Sequence, residues 1–381
     1  MLYTLGNVNV RDNTTFTIRN PEPDPVTNKR SQELYDALSD VFEIKGWACG
    51  RYGQHAYSPE LGRDYARFIS DELMKADNLK IDFSVQMAGH PIIHHPYPFF
   101  IIADYIPFFD LSIMDTIAFP FVRKGYVGDQ DFLYKEATGV ITYTPVQRYM
   151  LINWLGLNPG KVTSICSGVK GFAEPTFHKK NNKKILWVGS DLKSKGGVEV
   201  IEALKWLRLE DPEYTLTMVG INDEIHEEGV TVLPFLHGND IEILDKLYSE
   251  AAVFVMPSYK ENLGLVYLEA MAHKTPVVVT SRGGIAELIR RTSSGKVVVP
   301  GNIAAIVRSI KEITDEDAYE GYSERAYCFA RKNAAWDIAA VRMADAIERW
   351  LKDIPVVDDY NDYFIDEQCQ YYPGTVYEGP R

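Results

Sequence analysis

The chain has 381 residues, 46% hydrophobic and 24% charged, a composition that excludes wholesale disorder, collagen-like repeats and disulfide scaffolds and a length that suits two or three domains. Forty basic against 53 acidic residues give a formal net charge of −13, so general nucleic-acid binding, which calls for a basic footprint, is disfavoured. No stretch approaches the roughly 20 unbroken apolar residues of a membrane-spanning helix; the longest apolar region, Tyr97 to Phe109, is broken by Asp104 and two prolines.

From the N-terminus, MLYTLGNVNVRDN has no basic region followed by an apolar one, so no secretory signal is expected. Strands are predicted at Leu2–Leu5, Phe42–Ala48, Phe83–Met87, Phe99–Ala103, Leu111–Met114 and Gly139–Tyr143. Helices are predicted at Ser31–Asp40, Gly62–Lys75 and Pro145–Leu155. The polar, aperiodic stretch GFAEPTFHKKNNKK reads as a linker over 171–184. Beyond it, strands at Ile185–Val188, Leu216–Val219, Val230–Leu233, Val253–Met256, Val277–Thr280 and Val297–Val299 alternate with helices. Those helices are Val198–Leu207, Asp240–Glu250, Gly264–Ala272, Ile285–Arg290 and Ile303–Ile313. Such alternation predicts βαβ units and a parallel sheet covered on both faces. Trp336, Ala340, Met343, Ile347 and Trp350 recur at helical spacing, which predicts an amphipathic helix that packs back across the domain junction. The 28 residues from Ile354 carry six acidic groups and five tyrosines and read as an extended tail. The expected organisation is an N-terminal Rossmann-like domain over 1–170, the linker, a second such domain over 185–333, a helix over 334–353 and the tail over 354–381. The cysteines Cys49, Cys166, Cys328 and Cys369 form no CxxC pair; structural zinc and a disulfide framework are not expected, and a reducing cytoplasm is.

Neither GxGxxG nor GxxxxGK[ST] occurs, which argues against hydride transfer and P-loop hydrolysis. The informative segment is MPSYKENLGLVYLEAMAHKTPVVVTSRGGIAELI, Met256–Ile289. It reads as strand, loop, helix, strand, loop, helix. The amides of Gly264, Leu265 and Val266 open the first helix, and such an end favours a phosphate at the edge where parallel sheets bind ligands. Glu261 ends the loop and Glu269 follows eight positions later. Two carboxylates beside an anion site make sense when they accept from hydroxyls, as in a nucleoside diphosphate sugar. The plain alternative is a capping Glu261 and a solvated Glu269.

The segment resembles the donor-binding motif of retaining GT-B glycosyltransferases of family 4. It carries Pro257-Ser258, Glu261, Gly264, Glu269-Ala270-Met271-Ala272, Thr275-Pro276, Gly283-Gly284 and Glu287 in that family's order. Weaker similarity runs through KKILWVGSDLKSKGG, LTMVG and VTVLPFL, and SICSGVKG looks like the end of the family's N-terminal domain. The resemblance implies two Rossmann-like domains facing each other across a cleft, with a C-terminal helix crossing back. It implies transfer of a hexosyl unit from a UDP- or GDP-sugar with retention, forming an α-linkage to a hydroxyl on a glycan, glycolipid or glycoprotein. Glu261 would then hold the donor sugar, Glu269 the ribose, and Lys195 the diphosphate. The backbone near Val232 and Pro234 would face the base, and Leu263, Gly283 and Gly284 would line the pocket.

The departures are specific. Ser190 stands where the family usually has an arginine, with Lys193 the candidate to replace that charge; Leu263 replaces a common phenylalanine, and His273-Lys274 a small residue and glycine. GNVNVRDNTTFTIRNPEPDP replaces the glycine-rich loop after the first strand and is read as an unusual hairpin or loop. Asp115 occupies the place of an active-site histidine. Asp104 reads equally as a pocket residue or a paired loop carboxylate. His90, His94 and His95 lack helical metal-ligand spacing and read as loop packing, so neither metal nor cofactor is expected. Arg123-Lys124 and Lys179-Lys180 are compatible with peripheral membrane contact. The alternatives are a catalytically silent GT-B module that binds nucleotide sugar or scaffolds a partner, and a nucleotide-sugar epimerase.

Overall fold

The computed structural model describes residues 2–7, 16–19, 33–34, 36–49, 83–87, 98–103, 131–172, 183–236, 240–261 and 263–356. They form two compact units: one gathers the described residues up to 168 with 336–356, the other 169–335.

The first unit is built on β1 (Leu2–Asn7), β2 (Phe16–Arg19), β3 (Glu43–Cys49), β4 (Phe83–Met87), β5 (Phe99–Ala103), β6 (Gly139–Thr142) and β7 (Val162–Ser164). Their order is β2-β3-β1-β4-β5-β6-β7. Every residue of β5 and β6 is buried, as expected for parallel strands covered on both faces. One strand departs from the expected parallel pattern: β1 runs antiparallel to β3 and β4, with a bulge between Leu5 and Gly6. Apolar alternation marks a strand but carries no direction, so the reversal was not legible in sequence. Nor was β2, which lies within the stretch expected as a hairpin or loop. Helices α1 (Asp131–Glu136) and α2 (Pro145–Asn153) complete the run to β7; α1 was not anticipated.

The second unit is a fully parallel sheet of β8 (Lys184–Val188), β9 (Thr215–Val219), β10 (Val230–Leu233), β11 (Val253–Met256), β12 (Val277–Thr280) and β13 (Gly295–Val298). The helices are α3 (Gly197–Glu210), α4 (Ile241–Glu250), α5 (Leu265–Ala272), α6 (Ile285–Thr292), α7 (Ile303–Thr314) and α8 (Tyr319–Asn333). The order β10-β9-β8-β11-β12-β13 starts at β8, winds outward to β10, then returns to β11 on the other side. The order therefore switches between β8 and β11, the place where doubly wound sheets leave a crevice. Strand β13 begins two residues before the predicted Val297. Helix α8 was missed because its buried stripe interleaves Tyr319 and Phe329 with Ser323, Ala326, Ala330 and Asn333, which leaves only a weak apolar period. It is held instead by tertiary bonds from Ser323 Oγ to Lys274 O (2.7 Å) and Arg325 Nε to Ser293 O (2.8 Å).

Helix α9 (Trp336–Leu351) packs in the first unit, and its predicted face is the buried one: Ala340, Met343, Ile347 and Trp350. Trp350 stacks on Phe100 at 5.8 Å and donates to Gly160 O at 2.7 Å. Gly139 makes room for that ring, since a Cβ there would fall 2.1 Å from it. Trp336 donates to Glu33 Oε2 at 3.0 Å. Losing a buried aromatic of this kind costs about 3–5 kcal/mol.

Cys166 is a free, buried thiol, pushed up to about 12 by burial. Cys328 is disulfide-bonded, a bridge that the wide spacing of the cysteines did not suggest. Among the described residues no helix is long and apolar enough to cross a membrane.

Candidate functional site

Because β8 and β11 are neighbours, the segments that follow them lie side by side at the carboxyl edge of the second sheet. After β8 the chain turns through 189–196 into α3. Asp191 shapes this turn by accepting from Ser194 N, and hydrogen bonds from the Ser194 side chain and amide hold its carboxyl below the usual range. After β11 the loop 257–264 is fastened to that turn. Tyr259 N donates to Ser194 O at 2.8 Å, and the buried Ser258 hydroxyl lies 3.2 Å from the same carbonyl as a donor. Gly196 has φ +69, and a Cβ there would lie 2.5 Å from Pro257 O; only glycine lets the two backbones approach so closely.

Lys195 and Glu261 meet across this junction. Lys195 Nζ donates to Glu261 Oε2 at 2.9 Å and to Lys260 O at 3.2 Å. Their side chains are 26% and 11% exposed, so the pair is partly desolvated while the ammonium still reaches solvent. Charge-assisted bonds of this kind contribute about 1.5–3 kcal/mol each.

Glycine also opens α5. Gly264 has φ +73 and no side chain caps the helix. A Cβ there would fall 2.3 Å from the Tyr267 ring and 3.2 Å from Glu261 Cδ. Tyr267 is fully buried and donates to Met256 O at 2.6 Å; burial, then the Glu261 carboxylate, holds its phenol well above the ordinary range. Leu263 is buried while Leu265 and Val266 are half-buried, so this corner offers backbone amides, a lysine and a carboxylate together. Such a set can bind an anion and orient a hydroxyl-bearing group beside it.

Glu269, half-buried on α5, receives a hydrogen bond from Tyr248 Oη of α4 at Oε2, 3.0 Å away. His273, at the end of α5, donates from Nδ1 to Glu269 O at 2.8 Å and stacks on Tyr248 with centroids 5.5 Å apart. Sequence reasoning passed over Tyr248, because a tyrosine before an apolar strand reads as core. Of the other expected residues, Ser190 is exposed in the β8–α3 turn, and Val232 and exposed Pro234 stand at the end of β10. Gly283 and Gly284 are buried between β12 and α6, which Gly284 opens without a side-chain cap. Asp115, Asp104 and the histidines at 90, 94 and 95 lie outside the described residues, as do the predicted elements Gly62–Lys75 and Leu111–Met114 and the tail beyond 356.

Residues 172–329 match the family described as glycosyl transferases group 1. An uncharacterized glycosyltransferase of Methanocaldococcus jannaschii is 31% identical over 201 residues, covering 49% of this chain and 50% of that one. The chain spans about half the length of the first curated relatives it matches. Among solved structures, sucrose-phosphate synthase from Thermosynechococcus elongatus superposes with a TM-score of 0.63 at 17% identity, covering 89% of this chain and all of that one. The Anabaena protein HepE, solved with UDP and glucose, superposes with a TM-score of 0.58 at 14% identity, covering 88% and 99%. The sheet order, the motif from Pro257 to Glu287 and these likenesses converge: residues 172–329 are similar to glycosyl transferases group 1, and the α/β fold matches that of GT-B glycosyltransferase structures.

Proposed function

We propose that the chain is a retaining hexosyltransferase of family 4 that draws on a UDP- or GDP-sugar bound at the carboxyl edge of the second sheet. The observation that carries this is the Lys195–Glu261 pair, held 2.9 Å apart beside the uncapped start of α5. The diphosphate takes Lys195 and the amides of Gly264, Leu265 and Val266. Glu261, released from its ion pair, accepts from hydroxyls of the donor sugar, while Glu269 accepts from the ribose. Val232 and Pro234 face the base, and Leu263, Gly283, Gly284 and Ser190 line the pocket. The acceptor, a hydroxyl on a glycan, glycolipid or glycoprotein, is assigned to residues 1–170, and Asp115 keeps the catalytic role that the family resemblance implies for it. Lys179-Lys180 and Arg123-Lys124 would serve peripheral membrane contact from the cytoplasm if that acceptor is lipid-linked.

The reaction is a front-face displacement. The bond from the anomeric carbon to the β-phosphate oxygen breaks with its electron pair on that oxygen. The acceptor oxygen bonds to the same face of the carbon and passes its proton to the leaving phosphate. Lys195 and the α5 amides stabilise the charge that develops, so the step calls on no divalent cation. The reading is in keeping with HepE, which shares the fold and was solved with UDP and glucose.

A thermal-shift panel of UDP, GDP and their sugars, with and without magnesium, tests the donor site. At 100 times the dissociation constant a ligand adds about 2.7 kcal/mol. Stabilisation by one nucleotide family, unaffected by magnesium and lost in Glu269→Ala, is expected; no response to any nucleotide overturns the proposal. Ser190, in place of a cation, favours the silent-module alternative, and that alternative holds if nucleotide binds yet no sugar is released to water or to any acceptor offered.

A further inference from the structure

The role of Glu269 depends on where its carboxylate points, and a side chain with three rotatable bonds on a half-exposed helix face does not point anywhere by itself. Tyr248 supplies what is missing. Its ring is 1% exposed and its hydroxyl donates to Glu269 Oε2 at 3.0 Å. The phenol is itself held on several sides. His273 stacks on it at 5.5 Å with planes 24° apart, Phe254 lies 5.9 Å away, and Thr275 Oγ1 donates to the Tyr248 carbonyl at 2.6 Å. His273 in turn is tied to the Glu269 backbone, Nδ1 to O at 2.8 Å, and its Nε2 faces Asp245 Oδ1 at 3.6 Å. The backbone and the carboxylate of Glu269 are thus both referenced to the same aromatic pair.

We infer that Tyr248 is a positioning residue that sets the plane of the Glu269 carboxylate for two neighbouring ribose hydroxyls. The inference rests on the proposed role of Glu269. A carboxylate has about four acceptor positions; the phenol occupies one on Oε2 and leaves the others for ligand. Burial, then the Glu269 carboxylate, holds the phenol well above its ordinary range, so it remains a donor throughout the working pH range. A polar hydroxyl buried this deeply is tolerated only when bonded, which a phenylalanine would not require. Orientation fixed before the ligand arrives spares the ordering cost at binding.

The test compares Tyr248→Phe and Glu269→Gln in the full chain. UDP and GDP are titrated calorimetrically, each alongside its 2′,3′-dideoxy counterpart. In the unmodified protein the ribose form of one nucleotide binds more tightly. Tyr248→Phe is expected to lower that preference roughly 5- to 10-fold, within the range of one intramolecular hydrogen bond, with dideoxy affinity unchanged. In turnover the donor KM rises by the same factor with kcat within about twofold, since the bond serves binding rather than the transition state. The double variant loses no more preference than Glu269→Gln alone. If Glu269→Gln abolishes the preference and Tyr248→Phe keeps it, Tyr248 does not position the carboxylate, and the ribose role stands. Equal weakening of ribose and dideoxy forms in Tyr248→Phe marks a merely structural residue and also overturns the inference. If Glu269→Gln keeps the preference, the ribose role itself fails and the inference with it.

Discussion

The two units begin their helices differently. In the first, Thr144 opens α2 with a reciprocal pair: its hydroxyl accepts from Gln147 N at 3.3 Å, and Gln147 Oε1 accepts from Thr144 N at 3.0 Å. In the second, α3, α5 and α6 open at Gly196, Gly264 and Gly284 with no side chain on their amides. The contrast also holds inside the second unit, because α7, which follows the edge strand β13, is capped by Asn302 Oδ1 accepting from Ala305 N at 3.0 Å. A cap contributes about 1 kcal/mol. The helices that follow β8, β11 and β12 forgo it and leave their positive ends toward the carboxyl edge of the sheet; α4 and α8, away from the switch point, lack a side-chain cap as well.

Four substitutions probe that contrast. Lys195→Ala removes the cation beside the open ends and should lower kcat by about 10²–10³, as loss of one preorganised donor does; a loss under tenfold in steady-state assays would assign the charge stabilisation elsewhere. Gly264→Ala places a methyl where φ is +73 and the Tyr267 ring is 2.3 Å away. It should destabilise by about 2–4 kcal/mol in urea titrations and abolish the nucleotide-induced shift in Tm. Thr144→Ala should cost about 1 kcal/mol and leave nucleotide affinity unchanged, since a closed end has no ligand to lose. Asp191→Asn has the smallest effect. The Asp191 pKa is depressed in the fold, so its contribution is present above the unfolded value near 4 and is lost as pH falls through the folded one. The unmodified protein should therefore lose stability more steeply than the variant as pH is lowered below about 4, read as Tm in thermal scans.

Much of the second unit was legible. Strands β10, β11 and β12 have the bounds their apolar runs predict; β11 and β12 are buried throughout, and a strand buried on both faces reads as an unbroken hydrophobic stretch, while edge strand β10 is only partly buried. Helix α9 was legible for a related reason: one face is buried and the tryptophans Trp336 and Trp350 mark its ends. Helix α8 was not, since serine, alanine and asparagine dilute a buried face that otherwise holds only Tyr319 and Phe329 as large apolar groups. In the first unit β2 and the reversal of β1 escaped, because local pattern specifies extension and burial but neither partner nor direction. The site divides in the same way. Glu261, Glu269 and Gly264 stand out within one contiguous motif, whereas Tyr248 carries no local mark.

Local sequence thus settled the alternation of elements, the acidic balance and the order of the motif from Pro257 to Glu287, all of which depend on near neighbours in the chain. The fold alone settled which distant groups meet. Lys195 and Glu261 are 66 residues apart and touch at 2.9 Å because β8 pairs with β11. Tyr248 reaches Glu269 across 21 residues because α4 and α5 lie together beside that pair of strands. Strand order is a choice among non-local pairings, and no periodicity along the chain encodes it.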